Sequence, residues 1–364
     1  MNGWRNVDFA GGLGSLLILG LLTACTAPAT SPDDAFSRYS AAQSPGAAVM
    51  VIRDGEVVHA KGYGLANLET QAALDPATPV RLGSVSKAFT AMAIVLLAEA
   101  EQLTFDTPAV QWVPELKRFP TVTLRHLLNH TSGLPSYYED ESGLETLATA
   151  LSRQAILQNA EAAALYLTWG EPRFAPGERF EYSNPGYEIL ALVVERITGK
   201  TFGEYLQAEI FTPLGMKTAA VRSLPDTVIA RRAVGYAPDG SGWVEADDHW
   251  GNWLVGAGGV YASLQDMYLW DQALDQWAAG DRLREAFASA VLNDGSESLY
   301  GFGWELSPYA GQPAISHTGS WVGFRTSFVR YPEAQLSIIV LSNASLDLDE
   351  SVDAISRYYL KGSR

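Results

Sequence analysis

Ser84 and Lys87 stand three residues apart, about one helical turn, in Gly83-Ser84-Val85-Ser86-Lys87. The run that follows, Ala88 to Ala98, is apolar on nearly every side, which marks a buried helix. A lysine in the first turn of such a helix is desolvated, and desolvation lowers the pKa of an amine. A serine hydroxyl is a poor nucleophile until a nearby base takes its proton. A neutral amine on the same helical face can do so. The helix N-terminus adds backbone N–H groups and a positive dipole where an oxyanion would form. Tyr182-Ser183-Asn184 lies in a stretch bounded by Pro and Gly, which reads as a loop. From there Tyr182 can share a proton with Lys87, acting as base and then as acid to a leaving group. Asn184 can donate to a substrate carbonyl and to Lys87. His317-Thr318-Gly319-Ser320 precedes an expected strand. Ser320 can offer its backbone N–H as a second oxyanion donor, and Gly319 would let a substrate approach the backbone closely.

These S-x-x-K, Y-x-N and H-T-G motifs, in this order, resemble those of the serine β-lactamase and penicillin-binding-protein superfamily. The resemblance is strongest to the class C β-lactamase-like branch, which also holds D-alanyl-D-alanine carboxypeptidases, D-aminopeptidases and esterases. It runs from about Pro45 to Leu360 and includes R-L-G-S-V-S-K-A-F-T at 81–90, L-L-N-H-T-S-G-L-P at 127–135 and F-A-P-G-E-R-F-E-Y-S-N-P-G-Y at 174–187. G-A-G-G-V-Y-A-S-L-Q-D-M at 256–267 and H-T-G-S-W-V-G-F at 317–324 complete it. The resemblance implies that Ser84 is the acylated nucleophile and that Lys87 and Tyr182 transfer protons. It implies that Asn184 and His317 bind substrate, with Thr318 and Gly319 in the same strip. The N–H groups of Ser84 and Ser320 then form the oxyanion hole. Trp321, directly after the third motif, is expected in the pocket. Class C β-lactamases usually carry K-T-G where this chain has H-T-G. Lysine is a permanent cation for a β-lactam carboxylate, whereas histidine is mostly neutral at pH 7. Esterase or D-amino-acid peptidase activity is therefore expected ahead of efficient lactam hydrolysis. The alternative is a penicillin- or muropeptide-binding envelope protein with little turnover. The E-x-x-L-N deacylation signature and the G-x-S-x-G elbow are both absent.

The elements that must position these residues fall into two kinds. Two β-rich runs flank Asp54-Gly55, a two-residue hairpin signal. Phe324–Tyr331 and Leu336–Leu341 read as further strands joined at Pro332-Glu333, and Leu346–Leu360 as a closing helix. Between these ends, Ala88–Ala100, Leu144–Asn159, Tyr187–Ile197, Phe202–Ile210 and Ser263–Ala279 have helical pattern or composition. The expectation is an α/β (α+β) fold: an antiparallel sheet flanked by helices and built from both chain ends, with an inserted mainly helical domain. The boundaries are a signal peptide at 1–24, a lipidated Cys25 with its tether at 25–44, a sheet domain at 45–95 and 260–364, and a helical domain at 96–259.

The chain has 364 residues with 47% hydrophobic and 18% charged, a globular composition with ample material for a core. Its net charge of −16 repels phosphate backbones, so nucleic acid is excluded as a partner. The apolar run at 13–24 has signal-peptide length and ends in Leu22-Thr23-Ala24-Cys25, which resembles a bacterial lipobox. Cys25 is the only cysteine, which excludes an intramolecular disulfide. An exported protein is expected, held by a lipid on Cys25 at the periplasmic face of a bacterial membrane, with the outer membrane favoured, the alternative being a periplasmic or secreted protein. The other partner is a small-molecule or peptide substrate, and a monomer is expected. No cofactor and no metal are expected: His126 and His130 have a zinc-like spacing, but no placed third ligand accompanies them. His130 instead reads as shaping a loop near the cleft, and Asp247-Asp248 as solvated loop acids. Trp250, Trp253, Tyr137 and Tyr138 are candidate cleft aromatics or packing residues.

Overall fold

The computed structural model describes residues 31–41, 43–136, 158–279 and 283–361. Cys25, Tyr137, Tyr138 and most of the expected helix at 144–159 lie outside them. The main sheet has five strands: β1 (Ala47–Arg53), β2 (Glu56–Tyr63), β3 (Ile315–Trp321), β4 (Phe324–Tyr331) and β5 (Leu336–Ser342). Their spatial order is β3-β4-β5-β1-β2, and every pairing is antiparallel. The first and last thirds of the chain thus meet in one sheet, as expected. Asp54 and Gly55 both have positive φ, +50° and +80°, which gives the β1–β2 turn the twist that a two-residue hairpin needs.

Strands β1 and β5 are apolar apart from Arg53, Ser337 and Ser342 because both faces of the sheet are covered. Met50, Phe328 and Ile339 face one core with Ala48 and Leu341, while Val49, Val51, Val329 and Ile338 face another. The first core receives helix α1 (Ser86–Glu99), which is apolar all round and buried from Ser86 to Val95. Its Phe89 stacks on Trp270 of α3 (Leu264–Ala279), ring centroids 4.1 Å apart. Helix α2 (Asn184–Thr198) packs beside α1 and buries its residues from Pro185 to Val194. The second core receives α4 (Asp349–Leu360) through Val352 and Ile355.

Two differences from the sequence reading have physical causes. Residues 31–39 carry the composition of a tether, yet Phe36 and Tyr39 are fully enclosed in the second core. Asp33 hydrogen-bonds Lys61 Nζ at 2.7 Å and Tyr63 Oη at 2.6 Å. Two aromatics in a polar stretch outweigh its small residues, so part of the stretch expected as a tether, Phe36 and Tyr39 included, packs into the second core. The mainly helical insertion also carries strands. Ala220–Val221 and Val80–Arg81 both pair with Val260–Ala262, and Tyr236–Pro238 pairs with Trp243–Glu245. Helix Phe202–Leu206 continues through a π turn at Gln207–Phe211.

Asn343, fully buried at the end of β5, joins the two parts of the chain. Its Oδ1 accepts from Gly46 N–H at 2.8 Å. Its Nδ2 donates to Leu65 O at 3.0 Å, Ala66 O at 3.2 Å and Val234 O at 2.8 Å. Asn343→Ala strands these groups without solvent, and each buried unpaired group costs roughly 1–3 kcal/mol. The expected outcome is destabilisation on the order of 3 kcal/mol in chemical denaturation. A loss below about 0.5 kcal/mol, the range of ordinary surface substitutions, would contradict the joining role.

Candidate active site

Ser84 lies in the 3₁₀ turn Gly83–Val85 that leads into α1, and Lys87 is in the first turn of the helix itself. Ser84 is partly exposed, whereas Lys87 is fully buried. Lys87 Nζ is 3.0 Å from Ser84 Oγ, 2.7 Å from Asn184 Oδ1 and 3.1 Å from Ala257 O. It sits 4.7 Å from the ring centre of Tyr182. Burial pulls the lysine pKa down to about 7, against the opposing attraction of Glu188. This arrangement suits the neutral amine. A neutral amine keeps two N–H groups, which Asn184 Oδ1 and Ala257 O accept, and its lone pair is then left for the Ser84 hydroxyl.

Asn184 differs from expectation in two ways. It opens helix α2 rather than lying in the loop, with Ser183 as the N-cap whose hydroxyl accepts from Gly186 N–H at 3.3 Å. Its oxygen accepts from Lys87 instead of its amide donating, so the Nδ2 group is the one left to meet a substrate carbonyl.

The H-T-G motif is inside β3 rather than before a strand. The strand is the edge of the sheet. Ser316 exchanges both backbone bonds with Glu305, at 2.9 and 2.8 Å, on the side away from β4. Strand backbone direction repeats every two residues, so Thr318 and Ser320 turn their N–H and C=O groups to that same outer edge. Gly83, at φ +53°, is the neighbour there: a Cβ on it would come within 2.9 Å of Ser320 N. The Ser320 N–H therefore opens beside the turn that carries Ser84, where an oxyanion donor belongs. Gly319 serves the protein rather than a substrate. A Cβ on it would collide with Leu82 O and Thr326 Oγ1, which bond each other at 2.6 Å.

His317 is 2% exposed and both its nitrogens are taken. Nδ1 is 2.6 Å from Thr318 O, which only accepts, so Nδ1 carries the proton. Nε2 then accepts from Tyr300 Oη–H at 2.9 Å. Burial and the nearby Lys87 charge push its pKa down to about 3, so the ring is neutral. His317 thus shapes the wall and offers a substrate neither charge nor donor. Trp321 is fixed on three sides. Its Nε1–H donates to Asn252 Oδ1 at 2.7 Å, the guanidinium of buried Arg81 lies 4.8 Å from its ring centre, and His249 meets it edge-on at 5.1 Å. Trp250 lies tilted against His249, ring centres 5.1 Å apart, whereas Trp253 is buried under Arg222.

Several supporting residues were given no role in the sequence. Arg81 stands in the quoted stretch at 81–90 without a role, Asn252 and Tyr300 appear only through the tertiary fold, and Glu188 could have been flagged as one turn after Asn184. His130 is fully buried beneath Tyr182, and His126 is turned instead into the capping box of helix Leu124–Leu128. The pair therefore does not converge. Among the described residues no cluster of three or more His, Cys, Asp or Glu could hold a metal. Asp247 is buried and paired with Arg232 at 2.6 Å, not solvated.

An antiparallel sheet from both chain ends, with a serine–lysine helix buried against it, defines the β-lactamase and transpeptidase class of fold. The chain belongs to the Beta-lactamase family, which matches residues 32–359. It is 32% identical over 317 residues to penicillin-binding protein 4* of Bacillus subtilis, across 83% of this chain and 68% of that protein. It is 31% identical over 307 residues to a D-aminopeptidase of Brucella anthropi, across 83% of this chain. The chain spans just over half of that relative's length, 56%. A penicillin-binding protein structure from Bacillus halodurans superposes with a TM-score of 0.75 at 26% identity, across 90% of this chain and 98% of that one.

If the neutral Lys87 amine is the working form, kcat/KM rises with pH as the lysine loses its proton near pH 7. Glu188→Gln removes the carboxylate that holds that proton, so the acid limb moves to lower pH. A limb that stays in place or moves up in this variant contradicts the assignment.

Proposed function

We propose that the protein is an exported serine hydrolase that transfers acyl groups to water through an ester on Ser84. The observation that carries this reading is the Lys87 amine, buried and 3.0 Å from the Ser84 hydroxyl. Lys87, with Tyr182, takes the hydroxyl proton as Oγ bonds to the substrate carbonyl carbon. The carbonyl oxygen becomes an oxyanion between the N–H groups of Ser84 and Ser320. Collapse breaks the bond to the leaving group, which departs with the proton returned through Tyr182. A water molecule then gives its proton to the same pair and attacks the acyl ester, which frees Ser84.

Esters and amides of D-amino acids are the favoured substrates, ahead of β-lactams and of peptides ending in a carboxylate. With His317 neutral and both its nitrogens engaged, the third motif supplies no cation to pair with a substrate carboxylate. Turnover of a D-alanine p-nitroanilide should exceed that of an acyl-D-alanyl-D-alanine by at least about 100-fold, the scale of one lost charge pairing of roughly 3 kcal/mol. Equal or faster release of the terminal D-alanine contradicts this preference. The likeness to penicillin-binding protein 4* supports a second reading, a penicillin-binding protein with slow turnover. A penicillin adduct lasting hours, without peptide or ester hydrolysis, would favour it.

The apolar run at 13–24 and Leu22-Thr23-Ala24-Cys25 support export and lipidation. Cys25→Ala is expected to move the protein from the membrane fraction to the soluble one; unchanged partitioning contradicts lipidation.

A further inference from the structure

Tyr182 sits in an irregular segment outside the helices and strands, yet a proton-transfer group must be held in place. The holding comes from a neighbouring loop, His130 to Gly133. Four bonds hang the Tyr182 segment on it. Arg173 N–H donates to Gly133 O at 2.9 Å, Gly177 N–H to Thr131 O at 2.8 Å and Glu181 N–H to His130 O at 2.8 Å. Ser183 N–H donates to His130 Nδ1 at 3.0 Å. The last two flank Tyr182, so both of its neighbours are tied to a single residue. His130 also stands at φ +59°, in the left-handed region, an uncommon conformation that allows its carbonyl and its ring to reach the same segment.

The ring does more than accept. Its centre is 4.3 Å from that of Tyr182, 4.6 Å from Tyr300 and 5.1 Å from Tyr187. Tyr300 in turn bonds His317, and Tyr187 Oη–H donates to Leu128 O at 2.7 Å. The imidazole therefore fills the space under Tyr182 with a floor that is itself anchored. Accepting from Ser183 requires a bare Nδ1, so the neutral ring carries its proton on Nε2. Full burial holds the ring neutral, with its pKa driven well below the usual histidine range, and the charge of Lys87 acts in the same direction. Nε2 is enclosed and makes no hydrogen bond in the structure, which leaves the Ser183 bond as the ring's single polar task.

We propose that His130 is the positioning residue of the proton-transfer tyrosine: its carbonyl and Nδ1 clamp the backbone on both sides of Tyr182 while its ring supports the phenol from below. This rests on the reading that Tyr182 moves protons for Ser84. It assigns His130 no contact with substrate and no proton of its own.

The test is a double-mutant cycle on p-nitrophenyl ester hydrolysis, with kcat and KM measured separately and folding followed by thermal melting. His130→Phe keeps the ring volume and removes the acceptor. It should lower kcat by about 100-fold, the cost of a misplacement on the order of 1 Å, with KM changed by less than about threefold. His130→Asn places an oxygen acceptor near the position of Nδ1 and should recover at least about tenfold of that loss. In a Tyr182→Phe background, His130→Phe should cost less than about threefold more, because residues that act as a unit are not additive. Equal losses in the two backgrounds, or an Asn variant that folds yet is as slow as the Phe variant, would overturn the clamp. An active Tyr182→Phe single variant would instead overturn the reading beneath it, so the two failures can be told apart.

Discussion

A lysine kept out of water is the constraint on which the site depends. An amine at the surface holds its proton at neutral pH and cannot take one from a serine. Lys87 is fully buried, and its pKa falls to about 7. That burial needs α1 to be apolar on all sides, which in turn needs something to cover every side of it. The sheet, α2 and α3 provide the cover. The hydrophobic core and the candidate chemistry are thus one construction: the burial of the helix that places Ser84 is also what lets its lysine lose a proton near neutral pH. The acceptors around Nζ complete the arrangement, since Asn184 Oδ1 and Ala257 O hold the amine hydrogens and leave the lone pair for Ser84.

The edge of the sheet supplies the opposite kind of surface. Strands β1 and β5 are covered on both faces and paired on both sides. Strand β3 turns the Ser320 N–H to its outer edge, where it can meet an incoming carbonyl, while the Thr318 carbonyl on that edge is taken by His317 Nδ1. Exposed edges invite unwanted pairing. Here the earlier bridge between Ser316 and Glu305 closes part of the edge and leaves open only the stretch beside Gly83.

Much of this was legible in the residues. The Asp54-Gly55 turn, the two C-terminal strands and the buried helix after Ser84 follow from local rules of turn chemistry and hydrophobic pattern, and each stands within a few residues of its expected place. Helical spacing placed Ser84 and Lys87 together, and the resemblance of the three motifs implied that Tyr182 joins them. What composition hid was context set by distant partners. Phe36 and Tyr39 looked like part of a tether because the second core that receives them is built from the other end of the chain. Gly319 looked like a gap for substrate because nothing local reveals that Leu82 O occupies its side. The resemblance read His317 as a substrate ligand, and Tyr300, which engages its Nε2, is signalled by no motif. His130 read as a loop residue, and only the fold shows that it grips both neighbours of Tyr182.

The most direct test of the central claim is intact-mass spectrometry after fluorophosphonate treatment, across pH, for the wild type, Ser84→Ala and Lys87→Ala. The account predicts one adduct on the wild type, forming faster as pH rises through about 7. It predicts none on Ser84→Ala and a severely slowed reaction on Lys87→Ala that has lost this pH dependence. An adduct that survives Ser84→Ala, or a pH profile unchanged in Lys87→Ala, would contradict it.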